Sequence, residues 1–336
     1  MGATASGCQD HSMAARSLRP AVEPAGGAGQ AVEGGPSVAV RTAPGWMIWT
    51  ALGIVYVVWG STYLAISIVD ESMPPLLSSG ARFMAAGAIV YLVLLVRRGP
   101  SRLSVTREQL VSCAVIGALL VAGGNGLVMV GELHVPSGVA ALIIASVPLW
   151  VVLYRRLGGD TVARGTMVGV AAGFAGVAVL LLPGGTGGHV QFLSLLAVFL
   201  AAPCWALGSY LSKRRTLPAD PFLSTALQMM LGGLVSLALG FAVGESGDLD
   251  LGDFTARSLR AFAYLILVGS LIAFTAYVWV LQHAPISKVA TYAYVNPVIA
   301  IFLGWAILSE EVTWTIVAGA TVVVASVAAI VRRESG

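Results

Sequence analysis

The stretch HAPISKVATYAYVNP, residues 283–297, places polar side chains four positions apart in an otherwise apolar segment. Lys288, Tyr292 and Asn296 would share one face of a helix, because positions four apart lie one above the other. An ammonium, a phenol and an amide on one face can hold a polar organic solute. Pro297 lacks an N–H and would kink that helix. The stretch predicts a binding face beside a kink, and two alternatives stay open: a kink that serves packing alone, and a lysine that only reaches for solvent.

Arg82 is the most unusual charge, because it lies within an apolar run. In a membrane a buried guanidinium costs at least about 2.5–3.5 kcal/mol, so a partner is expected. Asn125, Glu132 and an anionic group on a bound solute are the candidates, although a purely structural pairing stays open. Glu132 and His134 are also the titratable candidates for proton coupling.

Aromatic side chains recur in several other apolar runs. Flat, amphipathic rings suit amphipathic or aromatic solutes better than bare ions, while ordinary rings at a lipid interface are the alternative. The predicted substrate-binding residues are Trp59, Tyr63, Arg82, Asn125, Trp205, Gln228, Tyr277, Lys288, Tyr292, Tyr294 and Asn296. Pro148 and Pro297 are the predicted kinks.

Common catalytic and cofactor motifs are missing from the sequence. It contains no Walker A loop, no HExxH and no G-x-S-x-G, and its three cysteines form no CxxC pair. We therefore predict no catalytic residue, no metal site and no cofactor. An enzyme acting on a lipid-linked substrate within the membrane stays as an alternative class, and so does an uncoupled channel or sensor.

Composition indicates the setting of these residues. The 336-residue chain is 57% hydrophobic and 10% charged, against about 25% charged residues in globular proteins. Apolar runs of about 20 residues cross a bilayer as helices, because backbone groups in lipid need partners within the same segment. We predict an all-α membrane protein with ten transmembrane helices. The predicted spans are 46–69, 76–96, 109–131, 136–154, 163–182, 190–212, 221–243, 259–281, 286–308 and 312–331.

The distribution of Lys and Arg predicts orientation. With the N-terminus in the cytoplasm, sixteen of the 19 basic residues fall on the cytoplasmic side, as the positive-inside rule requires. Both termini are then cytoplasmic in a multi-pass protein of the inner (cytoplasmic) membrane. The net charge of +3 reflects this topology, so no nucleic-acid partner is expected. Residues 1–45 are rich in Gly, Ala, Pro and Ser, which predicts a disordered cytoplasmic tail.

An internal repeat organises the spans. HVPSGVAALIIASVP, residues 134–148, matches residues 283–297 at an offset of 149, with a histidine and two prolines aligned. At an offset of 146, Arg82 aligns with Gln228 and Trp59 aligns with Trp205. The repeat predicts two five-helix units, 46–183 and 190–331. Because five is odd, the second unit would be inverted, which is typical of secondary transporters with a site near the midplane.

The motifs VVWGSTYLAI, PPLLSSGARFMAAG, GGNGLVMVGELHVPSGVAALIIASVP and ATYAYVNPVIAIFLGW, in this order, resemble the EamA family of the drug/metabolite transporter superfamily. The resemblance covers about residues 46–331. It implies two inverted five-helix repeats, cytoplasmic termini, a cavity formed mainly by helices 3, 4, 8 and 9, and helices 1, 2, 6 and 7 as gates. The family motif residues correspond to Trp59–Tyr63, Arg82, Phe83, Gly124, Asn125, Tyr294 and Pro297.

One departure from the family is visible after helix 4. The family often has a Gly-Glu step there, whereas this chain reads LGGDT with Asp160 in an imperfectly matching place. The corresponding position after helix 9 keeps Glu310 and Glu311. The sequence as a whole predicts a secondary transporter that exports small organic metabolites or drugs by alternating access, with proton antiport as a candidate mechanism. Either a monomer or a homodimer is compatible with this prediction.

Overall fold

The computed structural model describes residues 44–181, 191–284, 289 and 291–335, and these contain helices, turns and loops but no strand. Residues 1–43 of the predicted tail and the predicted site residue Lys288 lie outside this part of the chain. The helices are α1 Gly45–Asp70, α2 Pro75–Arg98, α3 Arg107–Glu132, α4 Ser137–Leu157, α5 Arg164–Leu181, α6 Phe192–Ser212, α7 Pro221–Ala242, α8 Ala256–Tyr264 continuing as Leu265–Phe274 and Thr275–His283, α9 Tyr292–Leu308 and α10 Trp314–Ser335. Short 3₁₀ turns lie at Pro100–Arg102 and Glu245–Gly247.

Length and composition suit most of these helices to a bilayer. Among the described residues, seven helices are long and apolar enough to cross a membrane, namely α1 to α4 and α6 to α8. The apolar helices Tyr292–Leu308 and Trp314–Ala329 are shorter. The prediction of an all-helical membrane protein is confirmed for the described part of the chain, whereas ten crossings stay a prediction.

The helices pack in pairs that follow a pattern. α2 lies against α7 and α5 against α10, while α1 packs on α8 and α9, and α6 packs on α3 and α4. Exchanging α1 with α6, α2 with α7, α3 with α8, α4 with α9 and α5 with α10 leaves this set of pairs unchanged. Each helix therefore packs against the counterparts of the helices that its own counterpart in the other half contacts.

The α2–α7 crossing repeats the pattern at the level of residues. A Cβ placed on Gly80 would lie 2.8 Å from the carbonyl oxygen of Gly233, and one on Gly87 would lie 2.9 Å from the carbonyl oxygen of Ala226. At the offset of 146, Gly80 corresponds to Ala226 and Gly87 corresponds to Gly233. Small residues at these positions let the two backbones approach closely.

Three helices depart from regular α-geometry near their middles. The central parts of α3, Ala118–Gly126, and of α8, Leu265–Phe274, are π-helical, a form that often occurs at functional sites. α4 is interrupted between Ile144 and Val147, just before Pro148. Pro297 lies inside the continuous helix α9. The π-helical segments of α3 and α8 thus occupy corresponding positions of the two halves, whereas α4 and α9 differ at their prolines.

Two carboxylates bind the starts of helices from the other half of the chain. Glu245, which follows α7, accepts hydrogen bonds from the backbone N–H groups of Leu76 and Leu77 at 3.0 and 2.9 Å. Glu310, which follows α9, accepts from Ser137 at 2.8 Å and from Gly138 at 3.3 Å. Helix starts carry unpaired N–H groups and partial positive charge, so both contacts are favourable.

Asp160 makes different contacts. Arg214 Nη2 lies 2.7 Å from its Oδ1 and Arg155 Nε lies 3.3 Å from its Oδ2. The hydrogen bond from Arg214, together with that from Arg155, holds the pKa of Asp160 below its usual range. The described contacts of this residue are therefore those of a surface ion pair, and the sequence departure after helix 4 is accompanied by a different structural role from that of Glu310.

Replacing Glu310 tests the cap on α4. We expect Glu310→Ala to lower the free energy of unfolding by about 1–2 kcal/mol, because two N–H groups lose a charged acceptor. The adjacent and exposed Glu311 provides the matched control, Glu311→Ala. Thermal unfolding in detergent measures both variants, and equal midpoints for the two would contradict the cap.

Candidate functional site

A cavity of about 60 Å³ lies between helices of both halves of the chain. Its lining comes from α1, α2, α3, α4, α6 and α9, and consists of Trp59, Thr62, Tyr63, Ile66, Arg82, Gly124, Asn125, Val128, Ile144, Ala201, Trp205, Tyr292 and Asn296. The expected contribution of helix 8 to the lining is not seen among these residues. An engineered apolar cavity that binds benzene has a volume of roughly 150 Å³, so this smaller cavity would have to widen to enclose an organic solute.

Arg82 is the charged residue of this lining. The side chain is 3% exposed; Nε donates to Ser270 Oγ at 2.8 Å, and Nη2 lies 3.4 Å from Asn125 Oδ1. The guanidinium carbon lies 4.5 Å from the centre of the Phe83 ring. Nη1 is buried without a hydrogen-bond partner. Of the partners predicted for Arg82, Asn125 makes a long contact and Glu132 forms no ion pair with it within 4.0 Å in the described structure.

Asn125 owes its position to the π-helical part of α3. Its Nδ2 donates to the carbonyl oxygen of Leu120, five residues earlier, at 3.0 Å. Gly124 precedes it, and a Cβ there would lie 2.7 Å from Cε3 of Trp205. The local sequence Gly-Asn therefore lets an indole pack directly on the helix backbone while the amide oxygen turns towards Arg82.

Aromatic rings from four helices form one cluster at the cavity. The Trp59 ring centre lies 5.6 Å from that of Trp205, 4.7 Å from that of Tyr277 and 5.3 Å from that of Tyr292. The contacts of Trp59 with Trp205 and with Tyr292 are edge-to-face, an arrangement that rings prefer over direct stacking. Tyr277 packs behind the lining and is itself buried. The cluster offers flat apolar surface with polar edges.

The predicted polar face of α9 is partly within this site. Tyr292 and Asn296 both line the cavity. When oriented to donate, the Asn296 amide nitrogen lies 3.2 Å from the carbonyl oxygens of Tyr56 and Tyr292. A Cβ on Gly60 would lie 3.3 Å from the backbone oxygen of Asn296. Asn296 thus ties α9 to α1 where the two helices approach closely.

Other predicted binding residues lie away from the cavity lining. Gln228 is buried in α7 and donates to Ser224 Oγ at 2.9 Å. Tyr294 is half-buried and points to a different side of α9 from its neighbours Tyr292 and Asn296. The helical spacing explains the difference, because positions 292 and 296 share a face and position 294 does not.

The two proton-coupling candidates are in different environments. Glu132 is 6% exposed; its Oε2 accepts from Ser67 Oγ at 2.9 Å, and its Oε1 has no hydrogen-bond partner in the described structure. His134 is exposed, with Nδ1 3.1 Å from Ser194 Oγ. Of the two, Glu132 is the buried ionisable group.

Three polar groups are not among the predicted binding residues. Thr62 lines the cavity, Ser270 binds Arg82, and the carboxylate oxygens of Asp70 are buried with no hydrogen-bond partner in the described residues. Thr62 stands in the WGSTY motif and Asp70 closes an apolar run, so both carried a weak signal. Ser270 follows a glycine in an apolar segment and carried none.

Comparisons with known proteins agree with this architecture. The model of the EamA-like transporter family matches residues 45–182 and again residues 192–332. An uncharacterised inner membrane transporter, YedA of Escherichia coli, is 38% identical over 79% of this chain and 84% of its own. An uncharacterised transporter, YoaV of Bacillus subtilis, is 26% identical over 82% and 94% respectively. A solved crystal structure with a TM-score of 0.60 and 21% identity covers 87% of this chain and 98% of its own, and shares the fold. This chain belongs to the EamA-like transporter family.

Proposed function

We propose that the protein is a secondary transporter of the inner membrane that exports small organic metabolites or drugs by alternating access. The chain would act through two inverted five-helix repeats, 46–183 and 190–331, with the cavity as the substrate site. Inverted repeats provide two related conformations, one open to each side, around a site near the midplane.

The main support for this proposal is the contact between the rings of Trp59 and Trp205. These residues are equivalent at the offset of 146, and their rings lie 5.6 Å apart in the cavity wall. Equivalent residues of two repeats meet only close to the axis that relates the repeats. The reciprocal glycine contacts of α2 and α7 and the double match of the family model support the same axis.

Contacts between helix ends support the proposed topology. Arg98 pairs with Asp220, Arg214 pairs with Asp160, and Thr216 Oγ1 donates to Glu108. These contacts put the end of α2 and the starts of α3 and α7 at one end of the bundle, where many arginines lie. The contacts of Glu245 with α2 and of Glu310 with α4 are at the other end. Segregated arginines favour cytoplasmic termini.

Glu132 and His134 stay the candidates for coupling transport to protons. A buried carboxylate with an unpaired oxygen can bind a proton at modest cost, because the neutral form needs less solvation than the charged form. Export driven by proton antiport would then require Glu132 on the path. Comparing export with and without a proton ionophore separates antiport from an uncoupled carrier.

Counterflow in proteoliposomes tests the proposed function. Liposomes loaded with members of a metabolite panel are expected to take up labelled external solute transiently and saturably. Asn296→Ala is expected to abolish this exchange while leaving the protein inserted, because Asn296 joins α9 to α1 beside the cavity. Leu308→Ala, at the far end of the same helix, is the matched control. Flux that does not saturate would indicate a channel, and turnover of a lipid-linked solute would indicate an enzyme.

A further inference from the structure

Arg82 is buried without a direct ion pair in the described structure, and the carboxyl group of Glu132 acts on it only from beyond 4.0 Å. No ion pair within 4.0 Å is formed with any carboxylate of the described residues, Nη1 has no hydrogen-bond partner, and Nη2 makes only the 3.4 Å contact with Asn125. Ser270 occupies Nε. The edge of the guanidinium that carries Nη1 and Nη2 is therefore the part left for a ligand. This edge presents two parallel N–H groups, the geometry that binds a carboxylate in a bidentate manner.

The rest of the cavity lining restricts the charge of that ligand. Arg82 is the only charged side chain among the described lining residues, so a ligand with one negative charge would complement the lining. An ammonium group would find no carboxylate in this lining and would be buried unpaired, which is costly. Thr62 already donates to the Trp59 carbonyl oxygen at 2.7 Å, and the Asn296 amide lies against two backbone carbonyls. The site thus favours a monoanion over a cation or a zwitterion.

The aromatic cluster restricts the shape of the ligand. Trp59, Trp205 and Tyr292 line the same cavity as Arg82. Rings of this kind pack on a flat apolar body, and their polar edges tolerate a partly hydrated solute during passage. A ring attached to a short carboxylate arm would place its charge on the guanidinium and its apolar part among the indoles.

We propose that the substrate is an aromatic monocarboxylate without an amino group, held by the Nη1–Nη2 edge of Arg82 and by the Trp59–Trp205–Tyr292 rings. This assignment rests on the proposed function in using the same cavity, but it concerns binding and can be measured without transport. The cavity would have to widen to enclose such a ligand, because its volume of about 60 Å³ is well below the roughly 150 Å³ of an engineered cavity that binds benzene.

Tryptophan fluorescence of the purified full chain in nanodiscs tests the assignment, because Trp59 and Trp205 line the cavity. The probes are phenylacetate, phenylacetamide, 2-phenylethylamine and L-phenylalanine, which differ mainly in charge. We expect saturable binding of phenylacetate at least about 10-fold tighter than of the other three. Charged, paired hydrogen bonds are worth about 10- to 100-fold in affinity. Arg82→Gln should remove that advantage and leave the affinity for phenylacetamide unchanged.

Arg260→Gln is the matched control, since Arg260 is exposed and its Nε donates only to the carbonyl oxygen of Ala256 in its own helix. The control should bind all four probes as the unaltered protein does. The assignment would be overturned if phenylacetate showed no saturable binding, or if 2-phenylethylamine or L-phenylalanine bound as tightly as phenylacetate. These outcomes are measured on the unaltered protein, so they remain decisive even if Arg82→Gln fails to fold. Selective binding of phenylacetate without counterflow would contradict only the proposed transport function. Counterflow of panel solutes without selectivity for carboxylates would contradict only the proposed substrate class.

Discussion

Arg82→Ala is expected to reduce exchange of a transported anionic panel solute in proteoliposomes by about 100-fold. The substitution removes the only charge of the described cavity lining together with its free Nη1 donor. Loss of paired, charge-assisted hydrogen bonds to a solute corresponds to about 3 kcal/mol, or roughly 100-fold. The protein should still insert, because removing a buried guanidinium also relieves a cost of about 2.5–3.5 kcal/mol.

The control for this prediction is Arg260→Ala, which removes an exposed arginine near the start of α8. Membrane content of both variants is measured by quantitative blotting, and exchange rates are divided by it. Exchange by Arg82→Ala within about twofold of the unaltered protein would show that solutes do not pass beside Arg82. The cavity would then not be the substrate site.

Gly117→Ala should cost at least about 2 kcal/mol of folding free energy and leave little folded protein. A Cβ on Gly117 would lie 2.3 Å from the carbonyl oxygen of Gln228, and one on Gly232 would lie 2.3 Å from the carbonyl oxygen of Gly117. Because both clashing atoms belong to the backbone, a change of side-chain rotamer cannot relieve the clash. Helix α3 would have to move away from α7. Overpacking of this kind typically costs 1–3 kcal/mol or more.

Gly53→Ala is the matched control, because it is also a glycine within an apolar helix but has nothing within 4 Å of the added methyl group. Alanine favours helix over glycine by up to about 1 kcal/mol, so this variant should be as stable as the unaltered protein or slightly more stable. Fluorescence-detected size-exclusion chromatography after heating measures both. Equal survival of the two variants would mean that α3 and α7 are not in close contact.

Individual site residues were predictable where a single residue is anomalous. Arg82 stands out because charge is rare in an apolar run, and it indeed lies in the cavity wall. Tyr292 and Asn296 share a helical face with each other, and both line the cavity. The alignment with Arg82 in the repeat predicts a binding role for Gln228, yet its amide donates to Ser224 within α7. Equivalent positions in two repeats need not face the same space when the sequences around them differ.

The acidic residues illustrate a second limit. In the sequence Glu310 is recognisable only as a family match, because its function as a cap on α4 depends on a contact across 173 positions in the chain. Ser309 adopts φ 57°, the left-handed region, and so turns the chain to bring Glu310 back towards the bundle. Neither the partner nor the turn is visible in a local pattern, because both are set by the approach of α9 to α4.

The sequence by itself determined the helical membrane class, the positions of most helices within a few residues, and the sequence similarity between the two halves. These follow from run length, composition and repeated motifs, which are properties of the chain alone. Only the tertiary structure decided which side chains converge. Helices that are apolar on all sides have no marked inner face, so their rotation is set by packing against neighbours. That packing brings Trp59 to Trp205, leaves Arg82 without an ion pair among the described residues, and leaves Tyr294 outside the cavity lining.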